Sequence, residues 1–255
     1  MKLGNPIRVV DGVYQIRAIG ARVTVVSSGG ETLLVDAGMR GSSGLIASGM
    51  DALGISLDTV GSLVLTHHHP DHASGVTELV AGRRIAVMAH RLDAAVLAGR
   101  CVDSGPIRRT LVTRFAAPVL HTMSGGPIPV AVELEDGDQV PFPLPVRAIH
   151  LPGHTAGSIA LYVPDRGLVI IGDSLQYRLG RRLSPPAAAV TEDPERALAS
   201  LERLLGMDFD AICFSHFPPM RTGAKAELRV MLGEHRRISS AIEPPTGGLD
   251  AADGW

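Results

Sequence analysis

The sequence predicts an α+β protein in which two β-sheets pack face to face with helices outside. Strand-like runs followed by helical stretches occur twice, over roughly 1–120 and 130–241, which suggests two similar halves. No internal repeat or Pro/Gly/Ser-rich linker divides the 255 residues, so a single domain is expected over 1–242. The remaining tail, 243–255, has too little apolar content to pack and is expected to be mobile. The chain is 45% hydrophobic but only 4% aromatic, which implies a large, mostly aliphatic core.

Each element has a local reason. Val13–Ala18 and Arg22–Ser27 are rich in β-branched residues and bounded by glycine, and the SGGE stretch at 28–31 is a turn signal before the next strand, 32–36. Residues 43–53 have helical spacing through Leu45, Ile46 and Leu53. Residues 61–66 read as a buried strand and 73–80 as a short helix. A strand at Ile85–Met88 and a helix at His90–Ala98 follow, whereas Gly99–Pro129 is broken by proline and glycine and shows no period. Strands return at 130–134, 146–150, 158–163 and 167–171. A helix over 193–205 has Asp193 as its N-cap, Pro194 in its first turn and Gly206 past its end. A strand at 211–215 and an amphipathic helix over 224–241 complete the fold; that helix is read as packing on the sandwich, with a homodimer contact as the alternative.

Composition excludes several classes. With 24 basic and 26 acidic side chains the net charge is -2, which argues against nucleic acid as a partner. No run approaches a membrane span, and the N-terminus lacks a secretory apolar stretch, so a cytoplasmic location is expected. The two cysteines, Cys101 and Cys213, make neither a disulfide framework nor a thiolate cluster.

The dense feature is THHHPDH at 66–72, with four histidines and an aspartate in six residues. In extended chain, residues two apart point the same way, so His67 and His69 share a side and His68 faces away, as a non-ligand. With Asp71 and His72 following the stiff Pro70, the spacing brings three imidazoles and a carboxylate to one point, a set suited to a divalent ion such as zinc. Later strand exits carry His154 (PGHTAG), Asp173 (IIGDS) and His216 (CFSHF), each a weak signal alone. His90, His121, His150 and His235 read as structural or surface residues.

These motifs, in this order, resemble those of the metallo-β-lactamase superfamily, and the likeness runs from the strands at 13–16 and 33–38 to His216. The resemblance implies a four-layer αββα sandwich with a two-metal centre at one edge. It implies that His67, His69 and His154 bind one ion, that Asp71, His72 and His216 bind a second, and that Asp173 bridges them. Asp36, in LLVDAG, matches a buried supporting position of the family and equally suits a turn after a strand.

Two divalent ions, Zn2+ first and Fe or Mn as alternatives, would share a hydroxide made by lowering the pKa of water from about 16 toward about 7. Asp71 would both bind metal and orient that hydroxide as the catalytic residue. The expected reaction is hydrolysis of a small-molecule acyl ester, thioester or lactone. True β-lactamases of the family carry cysteine where Asp173 stands, which points instead to the glyoxalase II, lactonase and thioesterase branches. Gln176 stands where such lactonases have tyrosine, with Tyr177 next, and Ser215 replaces the glycine usual before the last histidine. Tyr177, Arg178, Arg181 and Arg182 are candidates to meet substrate, or else form a solvated basic loop, and the loop Met39–Ser43 is expected beside the metals. Two rival chemistries are a serine esterase using Ser174 of the GDSL stretch, and a single-iron persulfide oxygenase using two histidines and Asp173. A third rival is a zinc-stabilised binding protein or a decayed site.

Overall fold

The structure is a computed structural model that describes residues 2–101, 126–178 and 182–242. His121, Arg181, most of the segment between Gly99 and Pro129, and the tail 243–255 lie outside the described residues.

The first sheet holds seven strands in chain order: β1 (Pro6–Val10), β2 (Val13–Arg17), β3 (Arg22–Ser28), β4 (Glu31–Val35), β5 (Val60–Val64), β6 (Ala86–His90) and β7 (Val132–Leu134). Neighbours are antiparallel from β1 to β4 and parallel from β4 to β7. Ser28 pairs with Glu31 across Gly29 and Gly30, both at positive φ (59° and 81°), the geometry a two-residue hairpin requires. The second sheet contains β8 (Arg147–His150), β9 (Ile159–Val163), β10 (Leu168–Ile170) and β13 (Ala211–Cys213), in the spatial order β13-β10-β9-β8. A separate hairpin pairs β11 (Gln176–Arg178) with β12 (Arg182–Ser184).

The helices are α1 (Ser43–Asp51), α2 (Pro70–Ala73), α3 (Val76–Val80), α4 (Arg91–Leu97), α5 (Pro194–Ser200) and α6 (Ala224–Ile242). Asp193 caps α5 by accepting from the Arg196 N–H at 2.9 Å, and the rest of the expected helix continues as a 3-10 turn, Leu201–Gly206.

Strand side chains alternate between two packing partners, which creates the four layers. Val26, Leu33, Val35, Val64 and Met88 face Ala148, Ile159, Leu161, Leu168 and Ile170 between the sheets. Their chain neighbours Val25, Leu34, Leu63 and Val87 face outward under Ile46, Met50, Leu79 and Leu97 of the helices. On the other side Ile149, Val169 and Ile212 pack under Leu201, Leu204, Leu228 and Met231. A strand covered on both faces reads as a continuous apolar run rather than an alternating one, and that is why these strands are legible in sequence. Truncating an inter-sheet residue such as Leu161 to alanine removes contacts with both sheets and costs about 2–5 kcal/mol.

Two expectations change. The 130–134 strand does not open the second half, because β7 pairs with β6 as the last strand of the first sheet. The stretch 177–184 is not loop throughout but contains the β11–β12 hairpin. No helix among the described residues is long and apolar enough to cross a membrane.

Candidate metal centre

Strands β4, β5 and β6 run the same way, as do β8, β10 and β13, and the residues that follow them meet at one edge of the sandwich. Asp36 follows β4, Thr66 to His69 follow β5, His154 follows β8, Asp173 follows β10 and His216 follows β13. A backbone bond from the Ile159 N–H to the Thr66 carbonyl, 2.9 Å, ties the sheets together there.

His67, His69 and His154 form one nest: His67 Nε2 and His154 Nε2 each lie 3.1 Å from His69 Nδ1. Burial, followed by the charge of neighbouring imidazoles, pushes all three pKa values down, His69 to about 4 and His154 to about 3, so the rings are neutral at pH 7. A neutral ring has one N–H, and its position follows from the hydroxyls around it. Thr66 Oγ1 lies 3.0 Å from both oxygens of the acceptor-only Asp36 carboxylate, so it donates there and accepts from His67 Nδ1–H at 3.1 Å. Thr191 Oγ1 donates to the Ala187 carbonyl at 2.9 Å and accepts from His154 Nδ1–H at 3.2 Å. Both Nε2 lone pairs therefore point into the nest, an arrangement that favours a cation between them.

Asp71, His72 and His216 form a second group, and Asp173 lies between the two. Asp173 Oδ2 is 3.0 Å from His216 Nε2 and 3.8 Å from His154 Nε2, and its Oδ1 is 3.5 Å from His72 Nε2. Asp71 Oδ2 is 3.3 Å from His216 Nε2 and 3.7 Å from His72 Nε2. His72 donates Nδ1–H to Asp36 at 2.8 Å, which leaves its buried Nε2 without a hydrogen-bond partner and facing two carboxylates. Burial lowers the His72 pKa, but Asp36 and then Asp173 outweigh it and hold the ring well above the usual range. Burial raises the Asp173 pKa, but His72 and His216 outweigh it and hold the carboxylate ionised. A divalent ion can take the place of the His72 Nε2 proton, so the donor set fits the group that the family implies.

Asp36 is a supporting residue as well as a turn residue. It is 2% exposed and is the one non-glycine at positive φ (65°) among the described residues. Its carboxylate accepts from the Thr66 N–H at 2.8 Å, from the Thr66 hydroxyl and from His72, so it positions one histidine of each group. The left-handed backbone costs on the order of 1 kcal/mol, which these bonds offset.

Sequence reasoning missed Asp93, 1% exposed on α4. Its Oδ2 accepts from the His68 N–H and the Thr155 hydroxyl, both at 2.8 Å, and lies 3.0 Å from His68 Nδ1; its Oδ1 accepts from the Gly157 N–H at 2.8 Å. One carboxylate thus fastens the loop of His67 and His69 to that of His154, and it occupies the outward-facing His68, as the alternation of the chain requires. The sequence signal was slight: a lone Asp inside an apolar helix. Two glycines permit close approach beside the centre. A Cβ on Gly172 (φ +59°) would meet Thr66 at 2.8 Å, and one on Gly20 (φ +83°) would meet the Asp71 Cβ at 2.7 Å.

The other candidates have structural partners, and the loop Met39–Ser43 does lie beside Asp71, with Met39 and Asp71 both against Gly20. Ser174 is 2% exposed, and no imidazole hydrogen-bonds its hydroxyl among the described residues, which leaves a serine nucleophile without its base. Tyr177 stacks on Phe214 with centroids 5.6 Å apart, and Arg182 lies 3.6 Å from Glu234 of α6, so the hairpin turns both toward the outer helix layer rather than the metals. His90 stacks on His150 at 4.0 Å, and His235 contacts the Met231 carbonyl, which are structural roles. The loop Met39–Ser43 is anchored by two 2.9 Å bonds from the Gly41 N–H to the Glu78 carboxylate.

A family model described as the metallo-beta-lactamase superfamily matches residues 17–216. The chain is 27% identical over 202 residues to the probable metallo-hydrolase YflN of Bacillus subtilis, covering 74% of this chain and 76% of that protein. It is 31% identical over 173 residues to a hydroxyacylglutathione hydrolase of Cereibacter sphaeroides, covering 68% of this chain and 54% of the relative, and so spans about half the length of that enzyme. Among solved structures, MIM-2 metallo-beta-lactamase superposes with a TM-score of 0.70 at 20% identity, covering 94% of this chain and 90% of that one. A metallo-beta-lactamase family protein of Thermus thermophilus gives 0.67 at 21% identity, covering 92% and 82%. At these identities the structural likenesses speak to the fold.

Proposed function

The chain belongs to the metallo-β-lactamase superfamily, among relatives named as metallo-hydrolases, and on that premise we propose that it is a metal-dependent hydrolase of small acyl esters, thioesters or lactones. The observation that carries this reading is the proton inventory of the imidazoles. His67 and His154 each commit their N–H to an outer hydroxyl, so two Nε2 lone pairs point into the nest, while His72, tied to Asp36 through Nδ1, turns its Nε2 toward the carboxylates of Asp71 and Asp173.

In this reading His67, His69 and His154 would hold one divalent ion and Asp71, His72 and His216 a second, with Asp173 placed between the two groups. Zinc suits imidazole and carboxylate donors in such a set. Bound there, two ions would supply a water acidified from a pKa of about 16 toward about 7 and would polarise the acyl oxygen. The chain's own work is to orient and to manage protons. Asp71, with 32% of its side chain exposed, stands at the mouth where an acceptor oxygen can align the attacking water and take its proton. Asp36 and Asp93 keep the rings in register without touching substrate.

The test is a panel of nitrophenyl esters, acyl thioesters, homoserine lactones, a cephalosporin and a phosphodiester, with metal quantified on the same sample purified without added metal. Two equivalents of metal with ester, thioester or lactone turnover are expected. A single iron with sulfite formation from a persulfide would replace hydrolysis by oxidation, and turnover of none of the panel by metal-loaded protein would leave a binding protein.

A further inference from the structure

Next to His216 the first sheet does something that the hydrolytic centre does not explain. Arg17 and Arg22 are register partners at the open ends of β2 and β3, so their side chains leave the same face of the sheet as cross-strand neighbours. Like charges in that position repel. Arg22 is 7% exposed, and its Nη1 is buried without a hydrogen-bond partner. No carboxylate pairs with Arg22 among the described residues. The nearby Cys213 is no counter-ion, because burial pushes its thiol pKa up to about 12. A buried cation left in this state costs stability, so a partner is called for.

The position of the pair indicates that partner. The Arg22 N–H donates to the Ser215 carbonyl at 2.7 Å, which fixes the start of β3 against the residue next to His216. Arg17, Arg22, Ile19, Ser215 and His216 line one cavity of about 370 Å³ that is open to solvent. The cavity therefore joins the arginine pair to the more exposed half of the metal centre.

We infer that this cavity is a subsite for a carboxylate of the substrate, read by Arg22 with Arg17 beside it, so that the enzyme prefers acyl esters or thioesters carrying a free carboxylate on the part that lies over His216. The inference rests on the hydrolytic reading for its substrate, but not for its binding. A guanidinium presents a planar fork matched to carboxylate, which a lysine lacks.

The experiment has a binding arm and a turnover arm, on metal-loaded full-length protein. In the first, glutarate raises the melting temperature of the wild type and does not raise that of Arg22→Met. In the absence of glutarate Arg22→Met melts no lower than wild type, because it removes an uncompensated buried charge and keeps the length of the side chain. In the second, two pairs of acetyl or glutaryl thioesters are compared, one with carboxylate on the leaving side and one on the acyl side, each against its neutral methyl ester. Wild type prefers the charged member of one pair by about tenfold to a hundredfold in kcat/KM, as expected for a charge-assisted bidentate contact. Arg22→Met loses that preference while keeping the neutral rate, and Arg22→Lys falls between. No glutarate-induced shift in wild type, a destabilised Arg22→Met, or equal loss on charged and neutral substrates would overturn the subsite. Failure of all four thioesters to react, with the glutarate shift intact, would overturn the hydrolytic reading and leave the subsite standing.

Discussion

The nest of His67, His69 and His154 is sealed, with exposures of 1%, 7% and 1%, whereas Asp71 and His216 each keep 32% of their side chain exposed. The sealed half is held by neutral groups, the Thr66 and Thr191 hydroxyls. The open half is held by charge, through Asp36 and Asp173. A preorganised, water-poor nest suits retention of an ion, and an accessible one suits exchange of ligand and approach of substrate. Strand position alone does not set this division: His154 of the sealed half follows β8 and His216 of the open half follows β13, the two edges of the same sheet.

The largest effect is expected from the residue common to both halves. Asp173→Ala should abolish metal-dependent turnover and reduce bound metal below two equivalents, a loss beyond the about 10- to 100-fold that removing an outer partner costs. The next comparison separates the halves. His154→Ala should strip metal broadly, while His216→Ala should keep about one tightly held equivalent. Elemental analysis after gel filtration distinguishes them, and equal losses would erase the asymmetry. Asp36→Asn, which replaces one acceptor oxygen by an amide, should weaken metal binding about 10- to 100-fold in a chelator competition, because both Thr66 and His72 lose alignment. Gly20→Ala drives a methyl into Asp71 and should lower kcat/KM about tenfold to a hundredfold and weaken the second equivalent of metal while the first is retained, which isolates the open half.

The smallest effect is a difference of sign. In metal-free protein burial holds His69 at about 4 and His154 at about 3, against about 6.5 in the unfolded chain. Their contribution is complete above about pH 6.5 and is lost as acid protonates the unfolded state first. His216 is raised by its hydrogen bond to Asp173, so its contribution is complete below about pH 6.5 and is lost as pH rises through the folded value. Denaturant midpoints of the metal-free protein should peak at about pH 6.5, where both contributions are complete. His154→Asn should flatten the acid limb and His216→Asn the alkaline one.

The sequence displayed the centre well for a physical reason. Donors that must meet at one point are either crowded in one loop, as at 67–72, or placed at strand exits, and apolar strands covered on both faces announce their own ends. Asp36 stood in plain view after LLV, but its left-handed backbone and double duty did not. Asp93 and Arg22 were invisible for a different reason: a lone charged residue is by default a surface residue, and only packing reveals that it is buried. The sheet membership of β7 was misread because pairing partner is a long-range property, and no local pattern in 130–134 distinguishes β6 from β8 as its neighbour. The hairpin at 176–184 carried arginines that looked addressed to a ligand, yet the same charges serve equally to meet Glu234 on a helix.

The bond between Ile159 and Thr66 has a consequence for biogenesis. The amino-terminal sheet leaves the ribosome carrying His67, His69, Asp71 and His72, which are only part of the proposed donor set. The remaining three donors, His154, Asp173 and His216, arrive only when the later strands dock. A two-ion centre of the proposed kind would therefore be completed only when the two sheets have joined.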